Sequence, residues 1–359
     1  VTGHRRVLGV ALAMAVASAW LAPVGVVART PGRGPDLVPA DGVTWREVLD
    51  RAVAATATGY EASMVVVSLG DEGPGVTEVE LRRDADGGLT VAASEAWLIA
   101  RDESSVMFRD EAGELVPVGQ VPSLPFTLPE VERNYEVDVA GRCELLTGPA
   151  VAVAFRREDV LRERMFVDDA TGVVVRRETY DRAGVPVRVT ALTDLRIAEV
   201  EMETMPPHGE AALGERTRLS PDEVRAMAGH GWDVPTTIGD GFDLRAGFGV
   251  DDGAAVQLVY SDGLYTMSVF EQPGRVDPEA LEGAVRDERH GIPVYRWPGA
   301  EPERMVWNGD GHTFTAVTDA PADVLMAAVA DLPHDRARSL PTRVRRGFAR
   351  LGSWLWPFG

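Results

Sequence analysis

The stretch Tyr135-Glu136-Val137-Asp138-Val139-Ala140-Gly141-Arg142, followed by Met165-Phe166-Val167-Asp168-Asp169-Ala170-Thr171-Gly172 and Tyr180-Asp181-Arg182-Ala183-Gly184, decides the fold. Apolar residues alternate with polar ones at Val185, Val187, Val189 and Ala191, and again at Leu195 and Ile197. A period of two is that of a strand, whose successive side chains point to opposite faces. Thr171-Gly172 and Asp181-Arg182-Ala183-Gly184 carry the turn residues that reverse the chain between such runs. Residues 135–197 therefore read as an antiparallel sheet.

Upstream, Thr44-Trp45-Arg46-Glu47 has capping-box spacing ahead of the apolar positions Val48, Leu49, Ala52 and Val53, which predicts an amphipathic helix. Strand-like runs follow at residues 62–69, 76–82, 89–93, 97–101 and 105–109, a helix and then a meander. Val121-Pro122-Ser123-Leu124-Pro125-Phe126-Thr127-Leu128-Pro129 interrupts it with prolines that cannot donate to a central ladder, and its Leu124, Phe126 and Leu128 suit a lid. Downstream, residues 199–217 are polar, contain Pro206-Pro207, and read as a linker. Ser220-Pro221-Asp222-Glu223 starts another helix, which stops at Gly229. Strands are expected near residues 242–248, 255–260, 265–271, 294–297, 304–308 and 312–318, with a closing helix at 322–332.

Composition bounds the function. The 359 residues, 45% hydrophobic and 26% charged, are ordinary for a globular chain of about two domains. A formal net charge of -20 opposes a phosphate backbone and argues against nucleic-acid binding. Every basic residue besides histidine is Arg, which suggests a GC-rich bacterial genome and a valine-coded start at Val1. His4-Arg5-Arg6 precedes an apolar run over residues 7–28, the pattern of an export signal or anchor. Small residues at Ala17-Ser18-Ala19 and Val26-Val27-Ala28 offer cleavage sites, while Pro23 and Gly25 weaken a spanning helix. Either way, the folded body is expected outside the cytoplasm. Cys143 is the one cysteine, so no internal disulfide is expected, and it reads as a small buried hydrophobe.

Local catalytic patterns fail on inspection. His4, His208, His230, His290, His312 and His334 are scattered, with no pair at metal-ligand spacing. Asp84, Asp86 and Glu95 fit three places of a calcium loop, but Gly88 and Leu89 occupy places that need a ligand and a glycine, so a hairpin turn at Asp86-Gly87-Gly88 fits better. Gly239-Asp240-Gly241 would begin a dinucleotide fingerprint, yet Leu244 stands at its third glycine. No Gly-x-Ser-x-Gly elbow occurs, and Asp168-Asp169 suits a solvated turn better than an acid–base pair. Neither metal nor cofactor is implied, and an enzyme is not expected.

The order "Val-Ala-Gly-Arg, strand, Phe-Val-Asp, x-x-Thr-Gly, strand, Tyr-Asp-x-x-Gly, strand" over residues 139–184 resembles the MucB/RseB family, exported regulators that bind the outward-facing part of an anti-sigma factor. A second stretch, Tyr260-Ser261-Asp262-Gly263-Leu264-Tyr265-Thr266-Met267-Ser268-Val269-Phe270, resembles the same family's C-terminal "YSDGL, then SVF" pair. Residues and resemblance together divide an α+β chain into a signal or anchor at 1–28, a linker at 29–42, a first domain at 43–200 that the resemblance implies is a half-barrel of the LolA/LppX lipoprotein-carrier kind, a linker with a short helix at 201–231, a small sheet-and-helix domain at 232–333 that it also implies, and a tail at 334–359 read from the residues alone.

It also implies a lipid or lipidated ligand, with Met64, Val66, Val79, Leu81, Trp97, Leu98 and Phe108 as expected lining under the Leu124, Phe126 and Leu128 lid. It further implies a membrane anti-sigma factor as partner, released to proteolysis when ligand binds. Tyr260, Asp262, Leu264 and Ser268 are the carried-over positions; the sequence leaves open whether they touch the partner or pack inside. A lipid or lipoprotein carrier is the alternative. The tail is basic and aromatic: Arg343, Arg346 and Arg350 alternate with Phe348 and lead to Trp354 and Trp356, which suits an interfacial helix at a membrane surface or a helix packed on its own domain. That tail and the insertion at residues 143–148 depart from the family pattern.

Overall fold

The computed structural model describes residues 34–70, 73–86, 88–93, 96–101, 105–109, 115–119, 128–200, 216–250, 253–281, 283–298 and 302–335. Helix α1 (Trp45–Ala54) starts on the expected capping box: the Thr44 hydroxyl accepts from the Glu47 amide, and the Glu47 carboxylate accepts from the Thr44 amide. Its Val48, Leu49 and Ala52 are buried on one stripe.

Strands β1 (Tyr60–Gly70), β2 (Gly73–Arg83), β3 (Leu89–Ala93), β4 (Ala96–Arg101), β5 (Ser105–Arg109) and β6 (Leu115–Gly119) then step outward. After helix α2 (Leu128–Asn134) the chain returns through β7 (Glu136–Leu145), β8 (Gly148–Arg157), β9 (Val160–Asp168), β10 (Val174–Tyr180), β11 (Pro186–Leu192) and the short β12 (Arg196–Ile197). The sheet order is β6-β5-β4-β3-β2-β1-β11-β10-β9-β8-β7, with β12 beside β1. The second meander thus begins at the far edge and works inward until β11 pairs with β1, Met64 opposite Leu192. The sheet stays open, with β6 and β7 as its edges.

Strand β8 is buried on both faces, which is why Ala150-Val151-Ala152-Val153-Ala154-Phe155 reads as an unbroken apolar run. Val151, Val153 and Phe155 face α1 and the rest of the chain, whereas Ala150 and Ala152 pack with Phe166, Val175 and Cys143. Cys143 is buried, as its hydrophobic reading requires.

The second sheet is built from β13 (Arg216–Leu219), β14 (Thr237–Ile238), β15 (Phe242–Val250), β16 (Ala255–Ser261), β17 (Thr266–Pro273), β18 (Val285–Arg289), β19 (Ile292–Arg296), β20 (Glu303–Gly309) and β21 (His312–Thr318). Its order is β13-β15-β16-β17-β21-β20-β19-β18, with β14 beside β15. Helix α3 (Pro221–Met227) starts on the Ser220 capping box, and helix α4 (Ala322–Asp331) buries Leu325, Ala328 and Val329. One apolar cluster runs through both halves, from Leu49, Val153 and Met165 to Leu264, Met267, Trp307 and Leu325.

The structure departs from the sequence reading at several elements. Strands β6, β13, β14 and β18 and helix α2 were not foreseen; β6, β13 and β18 are sheet edges, and their polar or proline-bearing sequences carry no two-residue pattern. The linker expected over residues 199–217 runs into β13 at its end. Alternation located β11, in which Leu192 is buried and Val187, Val189 and Ala191 are half-buried, while the flanking Val185 and Ile197 are exposed. Arg188, on the Leu192 side, reaches across to the Asp319 carbonyl of the second half.

Candidate functional site

Strand register tests where the expected lining falls. Met64 lies opposite Val79, Ala62 opposite Leu81, and Val66 opposite Thr77, so Met64, Val66, Val79 and Leu81 share one face of β1 and β2. Val79 and Leu81 are buried, while Met64 and Val66 are half-buried. The line continues by register from Leu81 to Val91, Leu98 and Phe108; Trp97 falls one position off it, opposite Ala92 and Arg109. The side chains of Trp97, Leu98 and Phe108 lie outside the described residues, as do Leu124 and Phe126 of the expected lid. Leu128 is described: it is the first residue of α2 and packs, half-buried, against the shared core.

The other candidate group, Tyr260, Asp262, Leu264 and Ser268, is buried to the last residue. Ser268 accepts from the Gln257 amide at 3.2 Å, and the Tyr260 hydroxyl donates to the Pro235 carbonyl at 3.0 Å. Val269 and Phe270 pack inside as well. In this conformation these side chains are turned inward. They build the second half and its seam with the first.

That seam is a polar lock set in apolar surroundings. The Ser261-Asp262-Gly263-Leu264 turn closes on itself: Asp262 Oδ1 accepts from the Leu264 and Tyr265 amides at 2.9 and 2.8 Å. Its other oxygen, Oδ2, accepts from the Tyr135 hydroxyl of the first half. Gly263 holds a left-handed φ of 96°, and a Cβ there would stand 2.6 Å from the Val131 amide nitrogen of α2, so glycine is required by both conformation and space. Asn134 at the end of α2 donates to the Asp262 carbonyl at 2.7 Å. Asp262 is 1% exposed, and this burial pushes its carboxyl up to about 6 against the opposing pull of the hydrogen bonds from Tyr135, Tyr265 and Leu264. Burial, then Asp262 itself, drives the Tyr135 phenol well above its ordinary value.

Beside it, the Tyr265 hydroxyl lies 2.9 Å from Glu163 Oε2 and 3.0 Å from the Arg162 carbonyl, while Arg177 Nε donates to Glu163 Oε1 at 2.5 Å. Burial alone would lower the Arg177 guanidinium; Glu163 and Asp319 together overcome it and raise it. At the rim, Arg182 pairs with Asp240 at 3.0 Å and its amide donates to Asp323 at 2.7 Å, and Arg133 meets Asp243 at 2.6 Å.

The remaining chemistry is structural. Asp168 caps its own turn, accepting from the Ala170 and Thr171 amides at 3.1 and 2.7 Å. The turn is solvated only at its tip: Ala170 is exposed, while Asp168 is buried and Gly172 nests against α1. Asp84 accepts from the Gly88 amide at 2.7 Å in the turn between β2 and β3. In the second half the buried Glu271 accepts from the Asp233 amide at 2.9 Å and stands 3.0 Å from His312 Nδ1; burial pushes its carboxyl up to about 7. Among the described residues no group of three or more His, Cys, Asp or Glu could hold a metal ion. The tail candidates Arg343, Arg346, Phe348, Arg350, Trp354 and Trp356 lie outside the described residues, as does the export signal.

No family model matches the chain, and no curated protein matches it. Solved structures do. A structure of MucB is similar over 79% of this chain and 96% of its own, at 17% identity and a TM-score of 0.45. The Pseudomonas aeruginosa MucA/MucB complex is similar over 82% of this chain and 99% of its own, at 16% identity and a TM-score of 0.42. A LolA superfamily protein, NE2245 from Nitrosomonas europaea, is similar over 45% of this chain and 96% of its own, at 7% identity and a TM-score of 0.25. The folds to which this α+β chain is similar are those of MucB over about four fifths of its length and of LolA superfamily proteins over less than half of it.

Proposed function

We propose that the chain is a non-enzymatic regulator working outside the cytoplasm, which binds the outer segment of a membrane-anchored anti-sigma factor, shields it from proteolysis, and gives it up when a lipid-like ligand occupies the first sheet. One observation carries the reading. The two stretches whose order resembles the MucB/RseB pattern, residues 139–184 and 260–270, meet in space: the buried Tyr265 of the second donates to Glu163 within the first. Two chance matches would have no reason to form one buried contact. The apolar row of Met64, Val66, Val79 and Leu81 on one face of β1 and β2 supports the ligand half of the reading.

Release by ligand requires that the ligand prefer the unbound regulator, by about 1.4 kcal/mol for each tenfold shift in partner affinity. The test uses the full exported chain and the immobilised outer segment of the anti-sigma factor encoded beside it, with and without palmitoyl-chain micelles. Capture of the chain, protection of the segment from added protease, and loss of both on adding lipid are expected. Absence of capture, with lipid extracted from vesicles by the same preparation, would replace the regulator with a carrier, which the same apolar row would serve.

A further inference from the structure

The Arg162 side chain is 7% exposed, yet its Nε and Nη1 donors meet no acceptor. A guanidinium cannot shed its charge, and a buried charge without a partner is among the costliest arrangements in a protein interior. Arg162 lines a crevice at the seam together with Tyr135, Arg157 and Tyr180 of the first half and Phe242 and Val324 of the second. Arg157, the second cation there, gives one bond to the Asp240 carbonyl and pairs with no carboxylate among the described residues.

The two carboxylates on the same wall are already engaged. Asp240 binds Arg182 at 3.0 Å, and the oxygens of Asp262 are taken by Tyr135 and by the Leu264 and Tyr265 amides. The Tyr180 hydroxyl likewise donates to Glu178 at 2.9 Å. The crevice therefore holds two positive groups with donors to spare. The cavity volume inside it is only about 10 Å³, room for one small ion and for no acyl chain.

We propose that this crevice is an anion site, taking a single small monovalent anion, a halide or one carboxylate group, against Arg162 and Arg157. Its walls come from both halves of the chain, so the anion binds only when they are docked and strengthens their docking in return. The site is separate from the apolar row on β1 and β2 and does not depend on the regulator reading.

The test uses the full chain in halide-free buffer, titrated with sodium bromide or sodium acetate at an ionic strength held constant with bulky methanesulfonate. A saturable rise in melting temperature is expected, together with an anomalous bromide peak within hydrogen-bond distance of Arg162 Nε or Nη1 in crystals soaked with bromide. A rise with acetate alone would assign the site to a carboxylate, and a rise with both to either anion. Arg162→Met should abolish the rise and melt no lower than the natural protein in halide-free buffer, since it removes an unmatched charge. An equal loss of melting temperature for Arg162→Met in every salt would instead pair Arg162 with protein carboxylates and overturn the proposal. Neither a saturable rise nor a bromide peak in the natural protein would overturn it without any variant.

Discussion

Asp262 shows how much one buried carboxyl can decide. Burial holds it at about 6 in the folded chain and Glu271 at about 7, against ordinary values of 3.8 and 4.5. An acid whose folded value is raised keeps its proton better folded than unfolded, so its stabilising contribution is complete below the ordinary value and disappears as pH rises through the folded one. Stability from these two groups should therefore fall between about pH 4 and 7, by up to roughly 3 kcal/mol for a two-unit shift. Urea midpoints across that range check it, and Asp262→Asn should flatten the slope.

Tyr135→Phe should cost about 1–3 kcal/mol and shift the Asp262 step to higher pH, because it removes a donor from a buried acceptor; an unchanged urea midpoint would mean that this hydrogen bond does not hold the seam. Gly263→Ala should cost at least as much, roughly 1–3 kcal/mol for backbone strain alone, with the contact against α2 added. Asp262 and Gly263 were legible as part of a family pattern, but neither their task nor the part Tyr135 takes in it was. Tyr135 and Asp262 stand 127 residues apart, and no local spacing announces that they touch.

Among the elements, those long enough to repeat a buried stripe were readable; the edge strands, and the short α2 and β14 with one buried residue each, were not. The Thr44 and Ser220 capping boxes each gave a helix start to the residue, and the two-residue alternation placed β1 to β5 within a few positions. Strand β18, Val285-Arg286-Asp287-Glu288-Arg289, was missed because an edge strand has charge on both sides and nothing to alternate. Thr44→Ala should lower stability by about 1 kcal/mol. Since α1 contributes to the core shared by both halves, that loss should shift the whole melting curve and not a minor early phase; a separate low-temperature phase in circular dichroism would place α1 outside the cooperative unit.

At the scale of the molecule, the common apolar cluster and the Glu163–Arg177–Tyr265 lock tie the two sheets together. A single calorimetric transition is expected for the natural chain. Glu163→Gln takes one of its two facing carboxylates from the part-buried Arg177 and leaves it Asp319, a loss of about 1–3 kcal/mol, and should split the transition in two as the halves come apart. A single, merely lowered peak would mean that the apolar cluster alone suffices. The inward-running second meander has a different consequence. The ladder partner of Met64 is Leu192, so a chain threaded outward from its beginning exposes one flank of β1 until the last strand of that sheet has emerged. Folding of this chain is therefore a race between synthesis and aggregation, and a stall anywhere before β11 leaves a half-built sheet with an open edge for a chaperone or a protease to find.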